Sequence, residues 1–218
     1  MKSFITPIIF CLTLFTTLVI ANPESSKSSM PKEALIKKMK KGGLVLYFRH
    51  ASTEKDYADQ VKADVNDGST QRVLSEKGWH EAVHIGNAIR FYNIPVGKVI
   101  SSEYFRAWQT AWLAFGQYEK NENLNFLPFA EFTKEQMEKM KKQVVPFLST
   151  KPEKGKNTVI VAHDDPFEAA TGIYPDPQGI CYVLEPRGKG SFKILGFVEA
   201  SAWSVSYTHL TLPTIYSV

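Results

Sequence analysis

The chain has 218 residues, 44% of them hydrophobic, with 26 Lys+Arg against 22 Asp+Glu and two cysteines. Such a balance excludes a chain too polar to bury a core, a disulfide-stapled scaffold and a strongly basic nucleic-acid binder. What it fits is one sizeable domain rather than two generous ones.

In chain order, Lys2 precedes an apolar run from Ile8 to Ile20 that ends in Val19-Ile20-Ala21. This is the layout of a secretory signal peptide, residues 1–21, cut between Ala21 and Asn22. The alternative, an uncleaved anchor helix, is opposed by a run short for a bilayer span. Cys11 lies inside the run, so no cysteine follows the small residues to carry a lipid anchor. The expectation is a periplasmic or secreted protein with no stable membrane insertion after cleavage. It would keep one thiol, Cys181, and hence no internal disulfide.

Residues 22–43 read as a flexible lead-in and a short helix: Asn22 to Met30 is Ser-rich, and Pro31 to Lys41 is amphipathic with a basic face. Leu44 to Arg49 follows the breaker Gly42-Gly43 and reads as a buried strand opening a domain over 44–203. The polar loop Glu54 to Ser69 holds Asp56, Asp59, Asp64 and Asp67, which are taken mainly to solvate it. Ser75 caps a helix to about Tyr92 with Ala82, Ile85, Gly86 and Ile89 inward. Val96 to Ser101 is a strand and Glu103 to Phe115 a helix. Thr133 with Gln136 forms a capping box for a helix to about Leu148. Thr158 to Ala162 is β-prone, and Ile180 to Leu184 with Phe192 to Val198 reads as a hairpin around Pro186-Arg187-Gly188. Strands alternating with helices imply a three-layer α/β/α sandwich on a mostly parallel sheet. Val205 to Thr214 resembles a translated sequencing adaptor, so residues 204–218 are set aside as a non-native read-through tail and His209 is given no role.

Arg49 and His50 end the first strand at the sheet edge where α/β proteins bind ligands. A buried cation beside an imidazole calls for an anion, and Arg recognises phosphate through paired charge-assisted bonds. The plain alternative is a salt-bridged Arg beside a structural His. His163 ends the Thr158–Ala162 strand in the same way, and Arg106 lies in the first turn of the helix after the second strand. Two histidines and two arginines would thus surround one point.

These segments resemble the histidine phosphatase superfamily, the phosphoglycerate mutase-like proteins. Arg49-His50-Ala51-Ser52-Thr53 is similar to the family's Arg-His-x-x-Thr, and Leu74-Ser75-Glu76-Lys77-Gly78 to the segment after it. Ser101-Ser102 through Arg106-Ala107 to Gln109-Thr110-Ala111 is similar to its Ser-Ser-x-x-x-Arg-Ala-x-Gln-Thr-Ala block. Val161-Ala162-His163 is similar to its Val-Gly-His, with alanine for glycine. The resemblance implies a phosphoglycerate mutase-like fold and a phosphatase acting on a small phosphorylated substrate without metal or cofactor. His50 would form a phosphohistidine that water hydrolyses, while Arg49, Arg106 and His163 grip the phosphoryl oxygens. Thr53 and Arg72 would join substrate binding, although Arg72 equally suits a plain surface. Two carboxylates compete as proton donor, Glu131 before the third helix and Asp164 directly after His163. Asp165-Pro166 with Glu168 reads as a helix N-cap, N1 proline and N3 acid.

Two other functions stay open. A non-catalytic periplasmic phospho-ligand-binding module would keep the cations without an effective donor. His80-Glu81-Ala82-Val83-His84 matches a zinc-peptidase His-Glu-x-x-His. Asn87 and Arg90 stand where the extended form of that motif needs Gly and His, so adventitious metal binding suits the pair better than proteolysis. The sequence carries no signal of oligomeric state.

Overall fold

The computed structural model describes residues 30–54, 59–60, 63–127 and 132–203. The expected signal peptide, Asp56, Glu131 and the read-through tail fall outside them. Helix α1, Lys32–Met39, precedes strand β1, Val45–Arg49. Helix α2, Glu76–Phe91, leads to β2, Val96–Ser101, then α3, Phe105–Phe115. A two-residue β3, Glu119–Lys120, and α4, Lys134–Ser149, come next. They are followed by β4, Asn157–Ala162, α5, Asp164–Thr171, β5, Cys181–Gly188, and β6, Ser191–Val198.

The strands form one sheet in the order β3-β2-β4-β1-β5-β6. β3, β2, β4 and β1 are mutually parallel, and β5 and β6 are antiparallel to their neighbours. Because side chains alternate along each strand, β1 sends Leu46 and Phe48 to one core and Val45 and Tyr47 to the other. The first core lies under α1, α2 and α3, and the second under α4 and α5. This is the expected three-layer sandwich. Leu35 and Met39 of α1 are fully buried in the first core, so the folded body takes in that helix as well. Trp203, also fully buried, stacks against Phe48 at its far end.

Local signals account for most boundaries. Ser75 caps α2 by accepting the Gly78 N–H, and Thr133 with Gln136 closes the expected capping box on α4. Two expectations shift. The β5–β6 turn falls at Lys189-Gly190, both at positive φ, and not at Pro186-Arg187-Gly188. Pro186 can stay in the strand because β1 pairs with β5 only as far as Leu184, so one side of β5 needs no N–H there. Helix α5 begins at Asp164 with His163 as its cap, which moves Asp165 and Pro166 two positions inward, from the expected cap and N1 to N2 and N3. Among the described residues, no helix is long and apolar enough to cross a membrane.

Candidate active site

β1 and β4 lie side by side and run the same way, with Arg49 paired to Ala162. The residues that follow each strand, His50 and His163, therefore emerge together, and their ring centroids are 5.5 Å apart at a T-shaped angle. Both are buried. The backbone N–H of His50 still donates to the Ala162 carbonyl, which carries the ladder one residue past the strand.

The loop after His50 is held from several sides. Ala51 N–H donates to Thr110 Oγ1 of α3, and Ser52 N–H donates to Glu81 Oε2 of α2. The Ser52 carbonyl accepts both the N–H and the hydroxyl of Ser75. Gly78 sits so close to that carbonyl that a Cβ on it would lie 1.9 Å from the Ser52 oxygen. Thr53 pairs with Leu74 as an isolated antiparallel bridge. Its N–H and hydroxyl both bond the Gln178 side chain.

Each ring has one nitrogen spoken for. His50 Nδ1 lies 2.8 Å from the Ala51 carbonyl, which can only accept, so Nδ1 carries the proton. Its Nε2 is left with a lone pair, contacted at 3.1 Å by the N–H of Arg106 Nε. Burial first, and then Arg106, push the His50 pKa well below its ordinary value, so the ring is neutral at pH 7. His163 is held low for the same reasons in the same order, burial and then Arg106. Its Nε2 meets Ser102 Oγ at 2.7 Å. Its carbonyl accepts from the Tyr47 hydroxyl at 2.6 Å.

The two arginines are oriented by carboxylates. Arg49 donates to Asp164 Oδ2 at 2.5 Å, to the Pro175 carbonyl at 3.0 Å and to Asp176 at 3.3 Å, with Tyr174 against its face. Arg106 donates to Asp59 at 2.8 Å and lies over the adjoining rings of Tyr104 and Phe126. Asp59, which the sequence suggested was solvating its loop, instead anchors Arg106 and accepts the Arg72 backbone N–H. The loop can do this because residue 59 folds back over the site and is only 18% exposed.

The two arginine nitrogens left without hydrogen-bond partners fit an anion. Arg49 Nε, Arg72 Nε and His163 Nδ1 are buried and unpartnered among the described residues. Arg72 is close enough to help depress both imidazoles. A cleft of about 750 Å³ opens beside them, lined by Arg49, Thr53, Arg72, Lys77 and Gln178 among others. Thus five of the expected residues, Arg49, His50, Arg72, Arg106 and His163, converge, and Thr53 lines the cleft mouth. Asp164 lies in contact with Arg49, and its Oδ2 also accepts the Tyr174 hydroxyl at 2.6 Å. Asp165, whose burial and neighbouring Asp164 raise it to about 7, stands next to it. Glu131 lies outside the described residues.

Sequence reasoning gave no roles to Asn125, Gln178 or Tyr174, which reach the site from irregular segments with no periodicity to mark them. In the decoy motif, His80 is exposed and 3.9 Å from Glu76, and His84 is exposed too. Glu81 turns inward to brace Ser52. The motif thus braces the loop after His50 through its central glutamate.

The strand order and the layers are those of the phosphoglycerate mutase-like fold. No protein-family model and no curated protein matches the sequence. Among solved structures, the chain is similar to the protein histidine phosphatase SixA complexed with tungstate, with a TM-score of 0.52 and 13% identity over 72% of this chain and 97% of that one. It is similar to a candidate alpha-ribazole-5'-P phosphatase from Escherichia coli, with a TM-score of 0.55 and 14% identity over 75% and 100%. It is also similar to a phosphoserine phosphatase from Entamoeba histolytica in complex with 3-phosphoglyceric acid, with a TM-score of 0.52 and 15% identity over 71% and 95%.

Proposed function

We propose that the protein is a phosphatase that hydrolyses small phosphomonoesters through a phosphohistidine on His50. One observation carries this reading above the rest. A neutral, buried imidazole presents its Nε2 lone pair at a strand end, with its other nitrogen locked to backbone, among cations that have donors to spare. That is what in-line attack on phosphorus requires, and a salt-bridged structural Arg–His pair would not leave Arg49 Nε buried and unused.

In this mechanism Arg49, Arg72 and Arg106 hold the equatorial oxygens as charge develops, and the fixed carboxylates Asp164 and Asp59 keep Arg49 and Arg106 aimed. His50 Nε2 attacks phosphorus while the ester oxygen leaves with a proton from Glu131 or from a protonated Oδ1 of Asp164, whose Oδ2 holds Arg49 and Tyr174. Water then attacks the phosphohistidine and returns the ring to its starting state. The side-chain cations supply the charge stabilisation that a metal would otherwise give. We further propose that the signal-like start of the chain directs the protein to the periplasm or outside the cell. The phosphatase names of SixA and the phosphoserine phosphatase support the reaction class.

The test is a burst and trapping assay with an activated aryl phosphate in EDTA. The expected result is a burst, turnover that EDTA does not reduce, and acid-labile phosphate on His50 that His50→Ala abolishes. Phosphate-ester binding without label or turnover would leave a binding module on a phosphatase frame. Turnover lost in EDTA would return the zinc reading.

A further inference from the structure

His163 is contacted at Nε2 by Ser102, and what Ser102 can offer is decided further out. Asn125 is fixed in orientation by Glu103 on both atoms of its amide. Its Oδ1 accepts the Glu103 backbone N–H at 2.9 Å, and its Nδ2 donates to Glu103 Oε2 at 2.8 Å. Oδ1 therefore also faces Ser102 Oγ, at 2.7 Å, and can only accept from it. The single hydroxyl proton of Ser102 is spent on that bond. Ser102 Oγ in addition accepts the Tyr104 N–H at 3.2 Å. Toward His163 it has only a lone pair left, so His163 Nε2 must be the donor.

The consequence falls on the other nitrogen. With its proton on Nε2, the neutral ring presents a bare lone pair at Nδ1, the buried atom without a partner. A lone pair repels a phosphoryl oxygen. We propose that Ser102 and Asn125 fix His163 as the Nε2–H tautomer, so that a phosphoryl group enters the site together with one proton, which comes to rest on Nδ1. If the ligand is a monoanion, its own O–H gives the proton to Nδ1. If it is a dianion, the proton comes from the solvent. In either case the product is an imidazolium whose Nδ1–H donates to a phosphoryl oxygen as a charge-assisted bond. Ser102 and Asn125 are then positioning residues that act through His163, and the two histidines of the site hold opposite tautomers.

The groups facing His163 agree with a proton that arrives only with the anion. Arg106 and Tyr104 face it from α3 and its start, Arg49, His50 and Tyr47 from β1, and Arg72 from the loop before α2. On its own helix stand Asp164 and Asp165. The facing cations oppose an imidazolium in the empty site, and a bound phosphate reverses that balance.

The proposal rests on reading the site as a phosphate site, but its test needs no turnover. Side-chain 15N NMR of the empty protein reports the tautomer. Calorimetry with an alkylphosphonate, whose dianion has no O–H of its own, in buffers of different ionisation enthalpy counts protons. The expected results are Nε2–H at His163 with Nδ1–H at His50, and uptake of about one proton above the second ionisation of the phosphonate, where it is the dianion. Affinity should then fall about tenfold per pH unit above that point. In Asn125→Ala the freed Ser102 hydroxyl turns to donate to Nε2. His163 should then switch to Nδ1–H, the proton uptake should vanish and the pH slope should flatten. In Ser102→Ala the tautomer is unconstrained and the slope should flatten too. A merely structural role would weaken binding equally at every pH. Nδ1–H at His163 in the empty wild type, or the phosphonate dianion bound without a proton, overturns the proposal and leaves the phosphate site standing. Failure of the phosphonate to bind at all removes both.

Discussion

The ends of β1 and β4 carry the same residue type in the same layer of the sheet, yet the chain treats them in opposite ways. After β1 it enters a loop braced by α2, α3 and Gln178, and the Ala51 carbonyl takes the Nδ1 proton of His50. After β4 it turns directly into a helix, and a side-chain hydroxyl holds Nε2 of His163. The difference teaches that residue identity does not assign the chemistry. Which nitrogen the surroundings consume differs between the two imidazoles, and with it which nitrogen each can offer to a ligand.

The comparison is broken most sharply at the nucleophile. His50→Ala should lower turnover by about 10⁴-fold or more and abolish the trapped label. His163→Ala should cost less and retain a detectable label with an activated ester, since it removes a binding partner and not the attacking atom. Rapid-quench measurement on both variants checks the ranking. A His163→Ala protein as dead as His50→Ala would show that the two ends are not functionally distinct.

The next effect concerns the acid that follows His163. Asp164→Asn, or Glu131→Gln, whichever removes the donor, should slow esters with poor leaving groups by about 10² to 10⁴ and spare activated ones. A plot of rate against leaving-group pKa reads this out, and equal losses for both classes would rule out proton donation. A smaller effect sharpens the contrast from the β1 side. Gly78→Ala should push α2 off the Ser52 carbonyl, destabilising the fold by about 1–3 kcal/mol and lowering turnover as well. Denaturant melts alongside kinetics distinguish this from a purely structural loss.

The mildest prediction separates the histidines from their surroundings by pH. Both imidazoles are held below their ordinary value by burial. As pH falls below about 6.5, the unfolded chain takes up protons that the native site refuses, and stability is lost by at most about 1.4 kcal/mol per pH unit for each ring. Asp165 works in the other direction, because its native value is raised to about 7 and its penalty grows as pH rises through that range. Melting temperatures should therefore fall more steeply on acidification in the wild type than in His163→Gln. Asp165→Asn should raise stability more at pH 8 than at pH 5. Parallel melting curves for wild type and variants would contradict the assignment.

The residues that ended apolar runs were legible from the chain alone. Arg49, His50 and His163 follow strands whose composition is unmistakable, and Arg106 opens a helix placed by the strand before it. The capping signals of Ser75 and Thr133 were equally plain because they act over three residues. Long-range pairings were not legible. Asn125 reaches Ser102 across 23 positions and Gln178 reaches Thr53 across 125, and no local pattern foretells either. Asp59 looked like one acid among four in a polar loop, because its distinction lies wholly in the guanidinium it meets. The turn at Lys189-Gly190 was missed because proline and glycine at 186 and 188 are stronger local signals than a lysine at positive φ.

The strand order has a further consequence, at the margins of the sheet. Any open sheet offers unpaired N–H and C=O groups at its outer strands, to which a foreign strand can add. Here one margin is β3, two exposed residues of opposite charge, Glu119 and Lys120, too short to template a partner. The other is β6, whose pairing with β5 is interrupted by register shifts and which has Gly196 at an extended φ of 159°. α1 and α4 both pack against β6. Strands β1 and β4, whose apolar sequences would be the most adhesive, lie in the middle with neighbours on both sides. The topology that brings two histidines together thereby also places the aggregation-prone segments where no other chain can reach them.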